Sequence, residues 1–259
     1  MSLAGSGVVV TGAGAGIGEA LARRLVDGGA RVVVNDIDEL AAHRVAQDIG
    51  ALAVPGDAAT ESGVASLISA AMEALDEIDI YFANAGIETG GGLSATEDDW
   101  ARTCEVNVMA HVRAARILVP RWLERGQGRF VVTASAAGLL TMLGSATYSV
   151  SKHASLSFAE WLSATYGHRG VVVQAVCPLG VRTQMLELED EAVREILSHD
   201  EAIEPEAVAE SVWEALHGDN FLILPHPKVA EYFRFRATDI DRWIAGMRKL
   251  QSRLDTVED

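Results

Sequence analysis

Gly7-Val8-Val9-Val10 runs without a break into Thr11-Gly12-Ala13-Gly14-Ala15-Gly16-Ile17-Gly18. An apolar run of strand length stops at a cluster of glycines, and Ile17, Ala20, Leu21 and Leu25 then recur on one helical side. A helix is expected to begin at about Gly16 and to stop at Gly28-Gly29. Glycines at such a turn let the backbone fold tightly and approach a ligand, while the free N–H groups and positive dipole end of the helix face it. The next apolar run, Arg31-Val32-Val33-Val34-Asn35, ends in Asp36, eighteen residues after Gly18. A carboxylate there can accept hydrogen bonds from both hydroxyls of a ribose and would repel a 2′-phosphate. A flexible glycine-rich loop is the other reading of the motif alone, and Asp36 weighs against it. The combination reads as a dinucleotide site built on Gly12, Gly14, Gly16, Ile17 and Gly18, with the ribose at Asp36 and Ile37. Its Gly-x-x-x-Gly-x-Gly spacing differs from the stricter Gly-x-Gly-x-x-Gly pattern, but the physics is shared. No lysine or arginine lies within Gly12 to Gly18 or directly after Asp36, so NAD is expected rather than NADP. Asp57, after Val54-Pro55-Gly56, with Ala58, could meet the adenine amino group or could be an exposed loop carboxylate.

Outward from this unit, apolar runs near 7–11, 31–35, 51–54, 79–83, 129–134, 171–176 and 221–224 alternate with amphipathic stretches. Such alternation implies an α/β fold, a Rossmann-like doubly wound parallel sheet of about seven strands with helices on both faces. Asp38 can cap the second helix, and Thr96 with Asp99 three later begins a longer one through Trp100, Val106, Ala110 and Ile117, ended by Gly126-Gln127-Gly128. Pro225-His226-Pro227 ends the last strand. Beyond it Ile240, Trp243, Ile244, Met247, Leu250 and Leu254 share one helical face, so this tail must pack on something. One domain is expected over 1–259, with a cofactor half to about 135, a catalytic and substrate half to about 225, and a helical extension from about 226.

Net charge of -16 argues against nucleic acid and against anionic membrane surfaces, because both need clustered Lys and Arg. Apolar residues make up 49% of the chain, enough for a core, yet no run is long enough to span a bilayer. Cys104 and Cys177 are too few for a disulfide framework and lack the paired spacing of a zinc site, so no metal is expected and a reducing, cytoplasmic setting is. Cys177 sits in an apolar run and reads as a core residue.

Ser135 precedes Tyr148-x-x-x-Lys152 by thirteen residues. Oxidising a secondary alcohol requires a group that removes the hydroxyl proton, and the reverse reaction needs the same group as acid. A free phenol titrates near about 10, so Tyr148 must be shifted down to work at neutrality. Lys152, one helical turn later on the same face, is placed to supply that shift through its positive charge. Phe130-Val131-Val132-Thr133 is a strand, and Ser135 just past its end sits where such sheets place ligands, able to hold the substrate oxygen. Each residue also has an ordinary reading: a turn cap for Ser135, a helix surface pair for Tyr148 and Lys152, a helix-interior amide for Asn107. The seven histidines show no ligand spacing.

Thr11-Gly12-x-x-x-Gly16-x-Gly18, Asn84-Ala85-Gly86, Asn107, Ser135, Tyr148-x-x-x-Lys152 and Pro178-x-Gly180-x-x-Thr183 occur in the order found in the short-chain dehydrogenase/reductase family, which the chain resembles over roughly residues 5 to 225. The resemblance implies a catalytic set of Asn107, Ser135, Tyr148 and Lys152, with Asn107 holding a water that joins Lys152 to a proton relay. It implies that Asn84, Ala85 and Gly86 shape the sheet beside the adenosine ribose, that Tyr148 and Lys152 also meet the cofactor, and that Pro178, Gly180, Val181 and Thr183 hold the nicotinamide. Two departures stand out: the usual Asn-Asn-Ala-Gly reads Ala83-Asn84-Ala85-Gly86, and the usual Pro-Gly reads Pro178-Leu179-Gly180.

The stretch after Ser135 is an apolar wall, and Ala137, Leu139, Leu143 and Met185 are the expected substrate contacts, suited to an apolar secondary alcohol or ketone. From Glu187 to Glu204 eight acidic residues stand against Arg194 alone, which disfavours phosphorylated or coenzyme-A substrates unless this is a solvated face far from the cleft. Tyr232, Phe233, Phe235 and Trp243 of the tail either close the cleft or bury against a neighbouring subunit. The resemblance implies a homo-oligomer, dimer or tetramer. The expected function is an NAD-dependent alcohol dehydrogenase acting on a small-molecule alcohol or ketone. The rivals are an NADP-dependent carbonyl reductase, opposed by Asp36, and a nucleotide-binding regulator without turnover, opposed by the intact Ser135, Tyr148 and Lys152.

Overall fold

The structure, a computed structural model, describes residues 3–187 and 202–255. Seven parallel strands form one sheet in the order β3-β2-β1-β4-β5-β6-β7. They are β1 (Gly7–Thr11), β2 (Arg31–Asn35), β3 (Leu52–Ala53), β4 (Ile80–Ala83), β5 (Gly128–Thr133), β6 (Val171–Val176) and β7 (Leu222–Ile223). The outer strands β3 and β7 are shorter than their apolar runs, because only two residues of each meet a neighbour.

Alternate side chains of each strand enter different cores. Val9, Val33, Tyr81, Phe130 and Val173 pack with α3 (Glu61–Leu75), α5 (Ala110–Arg125) and α6 (Ala146–Tyr166). Val8, Val10, Val34, Phe82 and Val131 pack on the opposite face with α1 (Gly16–Asp27), α2 (Glu39–Ile49) and α8 (Pro205–Ala215). A sheet buried on both faces explains why the strands read as unbroken apolar runs rather than as alternating ones.

The helix expected from Thr96 to Gly126 begins as read, with a capping box between Thr96 and Asp99, and is helical to Arg125, but it is not α-helical throughout. It consists of α4 (Glu97–Cys104), a π-helical turn at Glu105–Met109 and α5, which Gly126 ends with φ 74°. Such turns widen the backbone locally and often mark functional sites. The tail is likewise two helices, α9 (Lys228–Thr238) and α10 (Ile240–Leu254), parted at Asp239, whose carboxylate caps α10 by accepting the Arg242 N–H. Tyr232, Phe233 and Trp243 pack partly buried on the core, Leu254 is buried, and Ile240 and Ile244 remain exposed. The short helix α7 (Gln184–Glu187) precedes the acidic stretch. Glu189, Asp190, Glu191, Arg194, Glu195, Asp200 and Glu201 lie outside the described residues.

Strand order reverses at β1, since β2 lies on one side of it and β4 on the other. The crevice at the C-terminal ends of strands flanking such a point is where these sheets take ligands.

Candidate active site

A cleft of about 1110 Å³ opens at that position. Its floor is the glycine turn. Gly12 has φ 62°, and a Cβ there would come 2.8 Å from the Cα of Ala85; Gly18 stands so close that a Cβ would lie 2.1 Å from the Gly12 carbonyl oxygen. Thr11 and Asn84 hold this approach: Thr11 Oγ1 accepts the N–H groups of Asn84 and Ala85, both at 3.0 Å, and Asn84 Nδ2 donates to Thr11 O at 2.9 Å and Gly12 O at 3.2 Å. Helix α1 starts after Ala15, which has no side-chain acceptor to cap its first turn. The bare turn, the short β1-to-α1 connection and the uncapped helix start fit a pyrophosphate.

Gly14 does not line the cleft among the described residues; its N–H donates to Oδ2 of Asp36 at 2.8 Å, and Oδ1 of Asp36 accepts the Asp38 N–H at 3.0 Å. The glycine makes room for the carboxylate, since a Cβ would sit 2.8 Å from Oδ2. Asp36 and Ile37 line the cleft, as do Asp57, Ala58, Asn84, Ala85 and Gly86. Asp57 Oδ1 is engaged by the Ala59 N–H at 2.9 Å. Ile17, expected both on the buried side of α1 and in the dinucleotide site, is half-buried: it packs against the core and also lines the cleft. Arg44 of α2 was not anticipated here: it donates to Gly14 O at 2.8 Å and pairs with Glu19 at 2.9 Å.

At the other end, Ser135, Tyr148 and Lys152 line the same cleft. Ser135 follows β5 and caps a short 3₁₀ turn, Ala136–Gly138, by accepting the Ala137 N–H at 3.1 Å. This cap role and a role toward ligand coexist, because accepting leaves the hydroxyl proton to donate. Tyr148 is half-buried in the first turn of α6, whose start is fixed by the Ser145 cap. Lys152 is buried (3% exposed), its ammonium 5.4 Å from the centre of the Tyr148 ring and donating to Thr133 O at 2.9 Å. Burial pushes its pKa down to about 8, with Cys177 and Glu88 pulling the other way. Burial also pushes the Cys177 thiol up to about 12, in keeping with a core cysteine.

Asn107 sits in the π-turn behind the cleft, fully buried. Its amide clamps both backbone groups of Ile87, at 2.9 Å each, and donates to Ser151 Oγ at 3.0 Å. A Cβ on Gly86 would lie 3.2 Å from Lys152 Nζ and 3.3 Å from Asn107 Oδ1, so the two side chains face one another across a residue with no side chain.

Pro178, Gly180, Val181, Thr183 and Met185 line the mouth, with Ala137, Leu140 and Met142 on the apolar wall. Two expected substrate contacts fall elsewhere among the described residues. The 3₁₀ turn sends Leu139 into the core (4% exposed), and Leu143 lies off the cleft lining. Glu88 lines the cleft and was missed. Burial raises its pKa, opposed by hydrogen bonding from Ser145 and Gly90 and by the Lys152 charge. The signal was an acid two residues beyond Asn84-Ala85-Gly86. Among the described residues no group of His, Cys, Asp and Glu could hold a metal, and no helix is long and apolar enough to cross a membrane.

Residues 6–194 match the family model described as short chain dehydrogenase. The chain belongs to that family of oxidoreductases. It is 35% identical to the 1-deoxy-11-beta-hydroxypentalenate dehydrogenase of Streptomyces exfoliatus over 95% of this chain and 92% of that one. It is 34% identical to the meso-2,3-butanediol dehydrogenase of Serratia marcescens over 78% of this chain and 83% of that one. Among solved structures, a short chain dehydrogenase/reductase from Burkholderia phymatum in complex with NAD superposes with a TM-score of 0.85 at 30% identity, covering 93% of this chain and 96% of that one.

Proposed function

We propose that the protein is an NAD-dependent dehydrogenase interconverting an apolar secondary alcohol and its ketone, with Tyr148 as the acid/base. The observation that carries the reading is the buried Lys152 ammonium 5.4 Å from the Tyr148 ring at one end of a cleft whose other end is the glycine turn. Bound there, NAD would supply the hydride acceptor. The chain's own residues bind, orient and move one proton. Ser135 donates to the substrate oxygen, Tyr148 takes or returns its proton, and the Lys152 charge favours the phenolate. Asn107 fixes the Ile87 backbone beside Lys152, and Gly180, Val181 and Thr183 hold the nicotinamide end.

NAD rather than NADP is supported by Asp36 at the end of β2, where a 2′-phosphate would meet a carboxylate. Arg44, a basic group at this turn, is already engaged by Glu19 and Gly14 O. The Burkholderia neighbour holds NAD, and a 3-ketoacyl-(acyl-carrier-protein) reductase from Brucella melitensis, 27% identical with a TM-score of 0.80, is complexed with NADH. The apolar wall at Ala137, Leu140 and Met142 supports an apolar substrate, and the named relatives are dehydrogenases of a hydroxypentalenate and of a butanediol, which supports alcohol oxidation. Self-association is part of the proposal, since Val150 and Trp161 on α6 are 51% and 55% exposed.

The experiment is reduction of NAD and of NADP, followed at 340 nm, against a panel of apolar secondary alcohols, with Tyr148→Phe as control. Turnover with NAD that the variant loses is expected. Tight NADH binding without turnover on any alcohol or ketone would instead favour the regulator.

A further inference from the structure

The pairing of β6 with β7 continues past the strands through a side chain. Parallel neighbours bond at alternate residues: the Ala175 N–H donates to Phe221 O at 2.7 Å and the Cys177 N–H to Ile223 O at 2.9 Å. By the same step the Leu179 N–H would meet the carbonyl of residue 225. It donates instead to Nδ1 of His226, at 3.1 Å. Pro225 and Pro227 flank this histidine with fixed φ and no N–H, so the chain turns away from the sheet here. The imidazole takes over as acceptor where the backbone leaves. An accepting Nδ1 means a neutral ring with its proton on Nε2. The ring is buried, with the residue 6% exposed, and its backbone is fixed by the start of α9, where the Val229 N–H donates to His226 O at 3.1 Å.

The donor belongs to the loop that lines the cleft mouth. Its Pro178 carbonyl accepts the Ala136 N–H at 2.7 Å, one residue beyond Ser135. Pro178-Leu179 is therefore tied on one side to the turn that carries Ser135 and on the other to His226. Gly180, Val181 and Thr183 follow directly. His226 itself is not part of the cleft lining among the described residues.

We propose that His226 is a positioning residue for the nicotinamide half of the cofactor: by holding the Leu179 amide it sets the Pro178–Thr183 loop without touching the cofactor itself. The tail beyond β7 thereby contributes to cofactor geometry through its first residues. The inference rests on the cofactor site proposed above.

The test compares binding of NADH with binding of ADP-ribose, which carries the adenosine and pyrophosphate but no nicotinamide, by calorimetry on the full chain. His226→Leu removes the acceptor, and His226→Asn offers an amide oxygen near the position of Nδ1. Loss of one such hydrogen bond in the leucine variant should weaken NADH about tenfold while ADP-ribose binding stays within about twofold. The asparagine variant should recover most of the loss. If the leucine variant does not fold, His226→Gln, whose oxygen lies one bond further out, takes its place in the comparison. Equal losses for the two ligands, or no loss for either, overturn the proposal. A wild-type protein that binds neither NADH nor ADP-ribose overturns the cofactor reading, and this proposal with it.

Discussion

Lys152 Nζ lies 5.4 Å from the centre of the Tyr148 ring and donates to Thr133 O at 2.9 Å, so one carbonyl at the end of β5 aims the charge of α6 at the phenol. That charge is buried at a cost. With a folded pKa lowered from 10.5 to about 8, burial of the lysine carries no titration penalty above its unfolded pKa, and the penalty grows as pH falls toward 8. Lys152→Met should therefore be more stable than wild type at pH 7, by up to roughly 3 kcal/mol, and the gain should vanish above the unfolded pKa. Denaturant melts across that range check it. Alcohol oxidation by the same variant should fall at least about a hundredfold.

The contact of Gly18 with the Gly12 carbonyl predicts a backbone clash rather than a pliable one. In Gly18→Ala the methyl would sit 2.1 Å from Gly12 O, which is backbone, and 2.6 Å from Asn84 Nδ2, which is held by its hydrogen bonds to Thr11 O and Gly12 O. Expected are a loss of about 1 to 3 kcal/mol in stability and at least about tenfold in NADH affinity. Gly50→Ala is the contrast: its φ of 69° is strained for alanine but nothing lies within 4 Å, so it should cost about 1 kcal/mol and leave NADH binding unchanged.

Asp36→Ala tests the cofactor choice. It removes the carboxylate that accepts from Gly14 and Asp38 as well as the repulsion toward a 2′-phosphate. The ratio of kcat/KM with NAD to that with NADP should fall by at least about tenfold, through a better NADP value as well as a poorer NAD one. An unchanged ratio would sink the assignment of this residue.

Much of this was legible because the relevant signals are local. Each inner strand is a short apolar run, rich in valine in β1, β2, β5 and β6 and in aromatic residues in β4, and the caps at Asp38 and Thr96 need only a side-chain oxygen within three residues of its partner. The elements hidden from the sequence depend on what lies across space. Nothing near Asn107 announces a π-turn; its amide takes both backbone groups of Ile87, twenty residues away. Ser135 turns the chain into a 3₁₀ segment, so Leu139 is in the core and off the cleft lining, while Leu140, buried in the same core, and Met142 reach the cleft, a distinction that apolar character alone cannot show. Gly14 was legible as part of the cofactor turn, but not that it makes room for Asp36, twenty-two positions later. Histidines without ligand spacing gave no hint that His226 meets a backbone amide forty-seven positions earlier.

His111, one helical turn past Asn107, supplies the clearest pH prediction. It is 1% exposed, and among the described residues neither ring nitrogen has a hydrogen-bond partner. Burial, helped by the Lys152 charge, pushes its pKa from 6.5 down to about 3. The folded state holds the neutral ring while the unfolded chain protonates near 6.5, so the histidine's contribution is intact above that pH and is lost as pH falls toward 3. Each pH step in that window removes roughly 1.4 kcal/mol. His111→Leu removes both the unpaired nitrogens and the titration. The variant should match or exceed wild-type stability at pH 7, since an unsatisfied buried polar group costs about 1 to 3 kcal/mol. It should also unfold less readily in acid, the gap widening from pH 6.5 to 4. Equal acid sensitivity of the two proteins, measured by urea midpoints at each pH, would show that His111 is protonated in the folded state or solvated there.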